Sequence, residues 1–189
     1  MCSSRNRVKR WGYHRSSASS LGGIPIKNRA SCDEVYIYSS DRELDFNKII
    51  NEIRELASRE GLGGVVIYVG IVKSPINDHK VKKLIYEMHE EYTIKRFWEI
   101  IDYVKSKYKI GCAKILHIKG ETKPGDIAVL IVTQSISRRE AFEAAREIID
   151  LVKHTTGIWK LEYREDGVFW VLGEGERIKR DDLVETRDT

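Results

Sequence analysis

The stretch SRREAFEAAREIIDLVKHTTGIWK, running from Ser137 to Lys160, decides how this chain is read. Phe142, Ala145, Ile148, Ile149 and Val152 recur at helical spacings, which predicts an amphipathic helix from about Arg138 to Thr155 with those side chains inward. Gly157 is placed to end it, because glycine takes the left-handed conformation of a helix stop without a Cβ penalty. Arg138 and Arg139 stand where first-turn N–H groups and the helix dipole already favour an anion. Lys153 lies in the last turn and Lys160 just beyond the break, so the reversal at His154-Thr-Thr-Gly157 allows both ammonium groups to face one cavity. Crowded cations in a partly dry pocket disfavour protonation and lower a lysine pKa from its free value of ~10.4. Such a lysine acts as nucleophile or proton carrier while its neighbour binds an anion. A lysine that merely complements the end of a helix dipole gives the same pattern, and spacing alone does not separate the two.

Upstream, Val35 to Tyr38 reads as a short strand, and Phe46, Ile49, Ile50, Ile53, Leu56 and Ala57 fall on one face of a first helix. Gly61-Leu-Gly-Gly64 precedes a strand rather than a helix, so it is a turn and not a phosphate cradle. Val65 to Val69 follows as a buried strand, then a loop, a strand around Val81 to Met88, and a second helix marked by Ile94, Phe97, Trp98, Ile101, Val104 and Tyr108. Ala113–Ile118 and Ile127–Thr133 are predicted strands joined by Lys123-Pro-Gly-Asp126, a type II turn by its Pro and Gly positions. Trp159–Arg164 and Val168–Leu172 form a hairpin across Asp166-Gly167, a type I′ signal. Antiparallel strands interrupted by three main helices and closed by a C-terminal β-hairpin give an α+β domain rather than a doubly wound sheet.

A length of 189 residues suits one domain with a substantial core. No run approaches the ~20 apolar residues of a membrane span, and the basic N-terminus lacks the apolar stretch of a secretory signal. Cys2, Cys32 and Cys112 are scattered without C-x-x-C spacing, which argues against a zinc site or disulfide framework and for a reducing cytosol. The net charge of +4 is unevenly spread. Seven of the 33 basic residues and none of the 29 acidic ones lie in residues 1–32, so the remaining 26 basic residues leave the body at −3. Residues 1–32, Ser-rich with Gly22-Gly23 and Pro25, read as a disordered basic arm, 33–180 as the folded domain and 181–189 as a flexible tail. Such an arm is able to touch nucleic acid, but a solvated tail is the more ordinary reading. Motifs for serine hydrolases, P-loop nucleotides, dinucleotides and zinc proteases are absent, and the five dispersed histidines suggest no metal site.

Four segments carry a family resemblance: GGVVIYVGIVK (Gly63–Lys73), ILHIKGETKPGD (Ile115–Asp126), SRREAFEAAREIIDLVK (Ser137–Lys153) and GIWKLE (Gly157–Glu162). Over Gly64 to about Leu172 the chain resembles the large, catalytic subunit of molybdopterin synthase. The helix ending in Asp-Leu-Val-Lys153 followed by Trp159-Lys160 is the most specific part, and His117, Gly120, Pro124, Gly125 and Asp126 add a second signature. The resemblance implies an α/β-hammerhead-like single domain acting as a cytoplasmic sulfurtransferase in molybdenum cofactor biosynthesis. It implies a homodimer within a heterotetramer, each copy binding a small ubiquitin-like sulfur carrier whose C-terminal Gly-Gly ends in a thiocarboxylate. The substrate it implies is cyclic pyranopterin monophosphate, which receives two sulfurs in successive rounds to form a dithiolene. Neither a metal nor a cofactor is expected at this step, nor a membrane or nucleic-acid partner.

By the same resemblance Lys153 and Lys160 match the family's catalytic lysines, Lys153 nearest the incoming carbonyl and Lys160 as anion binder and proton carrier. Arg138 matches the arginine that would hold the substrate phosphate, with Arg139, Ser137 and Lys73 completing the expected substrate-binding set. Phe142 matches too and is expected in the core. Three positions depart from the family: Ser137 stands in place of a histidine, Lys73 in place of an arginine, and Glu174 where a late arginine is expected, with Arg177 as its possible substitute. The alternatives are a non-catalytic binding module on the same scaffold whose basic arm contacts nucleic acid, and an unrelated phosphate-binding enzyme. The second is weakened by the lack of a general base near Arg138 other than the lysines.

Overall fold

The structure, a computed structural model, describes residues 32–172 and 175–180. The basic arm assigned to 1–32 lies outside the described residues except for Cys32, as do the tail 181–189 and Glu174.

Among the described residues, two sheets and three α-helices make an α+β fold. Strands β1 (Glu34–Tyr38), β2 (Gly64–Ile71), β4 (Ile110–Ile118) and β6 (Ile127–Ser135) form one sheet in the order β1-β4-β6-β2. Strands β3 (Val81–Glu87), β5 (Gly120–Thr122), β7 (Trp159–Arg164), β8 (Gly167–Val171) and β9 (Arg177–Lys179) form the other, in the order β5-β3-β7-β8-β9. All pairings are antiparallel except β1 with β4.

The central strands β4 and β6 are apolar at successive positions because both faces of their sheet are covered. Leu116, Ile118, Leu130 and Val132 face helix α1 (Phe46–Glu60) and β3 of the second sheet. Ile115 and Ile131 face helices α2 (Glu90–Lys107) and α3 (Arg138–Thr155) on the opposite side. Lys114, only 4% exposed, points to the α1 side and is held by Glu34 at 2.7 Å and Glu52 at 2.8 Å.

Helix α3 starts and ends where its local sequence places it, but the helix faces are narrower than periodicity suggests. Ala141, Ala144, Ala145, Ile148 and Val152 form its buried stripe, and small alanines let it sit close to β2 and β6. Phe142, expected in the core, is instead 63% exposed: it falls on the flank of that stripe, beside Val66 and Tyr68 of the edge strand. Likewise α1 buries Ile49, Ile53 and Leu56, while Phe46 and Ile50 stay partly in solvent.

Two turns show how local chemistry fixed the chain. Gly125 has φ 101° and Asp126 N–H donates to the Lys123 carbonyl at 3.0 Å, as a type II turn requires. The β7–β8 hairpin exists, but its turn residues are Glu165 and Asp166, neither with positive φ; Gly167 pairs with Arg164 as the first residue of β8. It is therefore not a type I′ turn, which needs positive φ at both central residues.

At the start of β2, a Cβ on Gly64 would lie 2.7 Å from Arg138 N and 2.8 Å from Ser137 C, both backbone atoms of the α3 start. Gly64→Ala is expected to push β2 off that helix end and to cost about 1–3 kcal/mol, read as a lower urea midpoint at unchanged slope.

Candidate functional site

A cavity of about 1150 Å³ opens between the two sheets and the C-terminal end of α3. Lys73, Lys153, Lys160 and Arg177 all line it, and its walls include Tyr86, Trp159 and Trp170. The two indoles meet edge to face, centroids 6.3 Å apart.

Each cation is set by a different element. Lys73 follows β2, and the turn at Pro124-Gly125 holds it there: Val72 N–H donates to the Asp126 carbonyl at 2.9 Å and Gly125 N–H to the Val72 carbonyl at 2.8 Å. Lys153 is in the last turn of α3, exposed, and makes no hydrogen bond or ion pair within the described residues. Beyond it the chain is turned by Gly157 (φ 67°) and anchored to α2, where the Thr93 hydroxyl donates to the Thr156 carbonyl at 3.1 Å. That reversal delivers Lys160 to β7. Lys160, Val171 and Arg177 then lie in one cross-strand row over β7, β8 and β9.

Beneath this row is Glu162, fully buried and on the same face of β7 as Lys160. Its carboxylate accepts from Arg177 Nε at 2.8 Å and from the second guanidinium nitrogen at 3.3 Å, a bidentate pair; Arg164 Nε stands 3.8 Å away. Burial pushes the Lys160 pKa below the ordinary lysine range; Glu162 opposes this, and Arg177, Lys73 and Lys153 reinforce it. The site thus combines fixed positive charge with one ammonium group whose protonation burial disfavours.

His117, at the end of β4, also lines the cavity. Its ring sits against Tyr86 (centroids 5.2 Å) and Phe97 (6.5 Å), and Nδ1 is 2.8 Å from the Ile118 carbonyl oxygen. A carbonyl only accepts, so Nδ1 carries the proton and Nε2 is left as an acceptor. Burial, and secondarily the nearby Lys160, push its pKa down to about 4 against the backbone hydrogen bond. The unfolded chain therefore binds more protons than the folded one between pH 6.5 and about 4, so stability falls as pH drops through that window. The expected loss is roughly 3 kcal/mol. Urea titrations from pH 8 to 4 should show it in the wild type, and the difference from His117→Gln should carry the corresponding slope.

Of the residues singled out in the sequence, Lys73, Lys153 and Lys160 come together on the cavity wall; Ser137, Arg138 and Arg139 do not. They are exposed at the opposite end of α3, fifteen residues from Lys153, or about 22 Å along the axis. Ser137 occupies the N-cap without a side-chain capping bond. Arg177 does reach the cavity, on a three-residue strand that no periodicity announces, and Glu162 and the tryptophan pair had no role in the sequence reading. The parity of Lys160 and Glu162, two apart in a predicted strand, was the available signal for the latter.

The family model described as MoaE protein matches residues 40–155. Among curated relatives, the molybdopterin synthase catalytic subunit of Pyrococcus abyssi is 39% identical over 130 residues, covering 69% of this chain and 86% of that protein. The crystal structure of molybdopterin synthase from Staphylococcus aureus superposes with TM-score 0.61 at 29% identity, covering 73% of this chain and 95% of that one. A chain from the complex of subunits 1 and 2 of the Helicobacter pylori molybdopterin-converting factor shares the fold, with TM-score 0.57 at 21% identity and coverage of 79% and 90%.

Proposed function

The chain belongs to the MoaE protein family, that of the molybdopterin synthase catalytic subunits, and from this premise we propose how its cavity serves that activity. The activity is sulfur transfer in molybdenum cofactor biosynthesis, from the thiocarboxylated C-terminus of a small ubiquitin-like carrier to cyclic pyranopterin monophosphate. One observation carries the assignment of the site: Lys153 and Lys160, together with Lys73 and Arg177, line the same cavity. A thiocarboxylate tail, a phosphate and the charge that develops on a carbonyl oxygen are all anionic, and fixed cations in a partly dry site stabilise them without reorganisation.

Lys153, projecting from the end of α3 with no competing partner, stands nearest the carrier carbonyl. The carrier sulfur attacks a side-chain carbon of the pterin, and the C–S bond forms as a C–O bond at that carbon breaks. The oxygen departs with the phosphate or, protonated, as water. A water molecule then cleaves the thioester so created, leaving the sulfur on the pterin and releasing the carrier as a carboxylate. Lys160, its pKa lowered by burial, moves the protons that these steps release and require. Lys73 and Arg177 hold anionic groups of the substrate. Two such rounds give the dithiolene.

Arg138 is too far from Lys153 in its own chain to share one phosphate with it. A two-fold dimer that sets the α3 helices antiparallel brings the Arg138 of one copy toward the lysines of the other, and Ser137 and Arg139 travel with it. The proposed setting of this biosynthetic step is the cytoplasm; among the described residues no helix is long and apolar enough to cross a membrane. A non-catalytic module using its basic arm on nucleic acid gains no support, since the matches are to catalytic subunits.

The test is reconstitution: the purified chain, a thiocarboxylated carrier and the pterin precursor, with mass spectrometry of the pterin. The expected product gains two sulfurs. Carrier binding without any sulfur in the pterin would overturn the reading.

A further inference from the structure

At the other end of β4 from the cavity, about 16 Å from His117 by strand rise, two cysteines 80 residues apart meet. The parallel register of β1 on β4 pairs Glu34 with Lys114; continued two residues back, it sets Cys32 directly opposite Cys112. Neighbouring strands are ~4.8 Å apart, inside the Cα separation that a disulfide spans, and residues at one register position project to the same face. The side chains agree. Both sulfurs and the Asp33 carboxylate lie within 4.8 Å of one another, the Cys112 thiol donates to the Cys32 carbonyl at 3.1 Å, and Cys32 Sγ is 3.8 Å from the Gly111 carbonyl oxygen. Cys112 is buried against Leu56 and Leu62, whereas Cys32 is partly exposed.

We propose that Cys32 and Cys112 are a dithiol pair that small-molecule disulfides convert to an intramolecular disulfide, tying the chain ahead of β1 to β4. Cys32, the accessible partner, attacks first. Its pKa is lowered by the hydrogen bond from Cys112, against burial and Asp33, with Lys105 and Lys114 also favouring the thiolate. The thiolate attacks one sulfur of the small disulfide, forming a mixed disulfide and expelling one thiolate. The Cys112 thiol resists ionisation because of the Cys32 sulfur beside it, its burial and the charge on Cys32, and capping Cys32 removes that charge. Cys112 then loses its proton, attacks Cys32 Sγ and expels the second thiolate. Two protein thiols are oxidised and one small disulfide is reduced to two thiols, which closes the balance.

A soft metal ion is disfavoured at the same place. Asp33 is already engaged, by the Lys105 ammonium at 2.6 Å and by Ala113 N–H at 2.9 Å, and the nearby Lys105 and Lys114 repel a cation.

The experiment uses the full chain carrying Cys2→Ser, equilibrated in mixtures of reduced and oxidised glutathione. The expected product is lighter by two hydrogens, retains no glutathione, resists alkylation at both positions, and melts about 10 °C higher than the reduced form, as closing so long a loop implies. Cys32→Ser, a substitution at the partly exposed partner, should fold normally and lose the redox-dependent melting shift. A glutathione adduct that persists on Cys32, failure to react in fully oxidised buffer, or a melting rise on adding zinc to the reduced protein without a disulfide would each overturn the proposal.

Discussion

Lys153→Ala is expected to slow sulfur transfer by about 10³-fold while leaving the urea midpoint nearly unchanged. The separation of the two effects follows from geometry. Lys153 is exposed on the last turn of α3, makes no ion pair or hydrogen bond within the described residues, and leaves no buried cavity when truncated. Its loss therefore touches stability only through the helix dipole, worth a few tenths of a kcal/mol at an exposed site. On the proposed role its loss removes the cation nearest the scissile carbonyl, where charge develops only in the transition state, so the fall should appear in kcat more than in KM. Lys153→Arg separates two roles. Arginine keeps the charge but does not release a proton, so recovery would assign Lys153 to electrostatic stabilisation, and continued loss would assign it to proton transfer or nucleophilic attack. Full turnover by the alanine variant in the reconstituted system would remove Lys153 from the mechanism.

Arg177→Met should have the largest effect on stability. Glu162 is 0% exposed, and Arg177 makes both of its short ionic contacts. Breaking a buried pair from one side leaves an uncompensated charge and typically costs 3–5 kcal/mol, here about 10 °C in melting temperature. Arg164, 3.8 Å from the carboxylate, keeps the loss toward the lower end of that range. The double variant Arg177→Met with Glu162→Leu should regain most of the stability, because no charge is then left stranded. The single variant also changes the site. Arg177 helps hold the Lys160 pKa down and Glu162 raises it, so removing Arg177 lets it rise. The pH optimum of sulfur transfer should move upward and KM for the phosphorylated substrate should increase. If stability and pH optimum both stay put, Arg177 and Glu162 are not coupled to Lys160 as the geometry indicates.

The parts of the protein legible in sequence are those whose causes are local. Helix α3 runs from Arg138 to Thr155, where amphipathic spacing and Gly157 predict it, because a helix is stabilised by contacts three and four residues apart and stopped by backbone chemistry at one position. The type II turn at Lys123-Pro-Gly-Asp126 is equally local. So is the reversal that carries the chain from Lys153 to Lys160.

What failed or went unseen depends on what packs against what. Phe142 has the spacing of a core residue, but the alanine stripe beside it sets which face meets the sheet, and the aromatic ring is left at the edge of β2. The type I′ reading of the last hairpin failed by one residue of register, which sequence alone rarely pins. Arg177 reaches Glu162 only because β9 adds to β8 at the register that aligns Val171 with both Lys160 and Arg177.

The Ser137–Lys160 stretch by itself determined a helix, its stop and two lysines turned toward one side. Tertiary structure alone decided that those lysines share a cavity with Lys73 and Arg177 and that Cys32 sits opposite Cys112, whereas the separation of about 22 Å between Arg138 and Lys153 follows from helix rise. The physical reason is that the packing of separate elements and cross-strand register join residues tens of positions apart, and no local propensity encodes either.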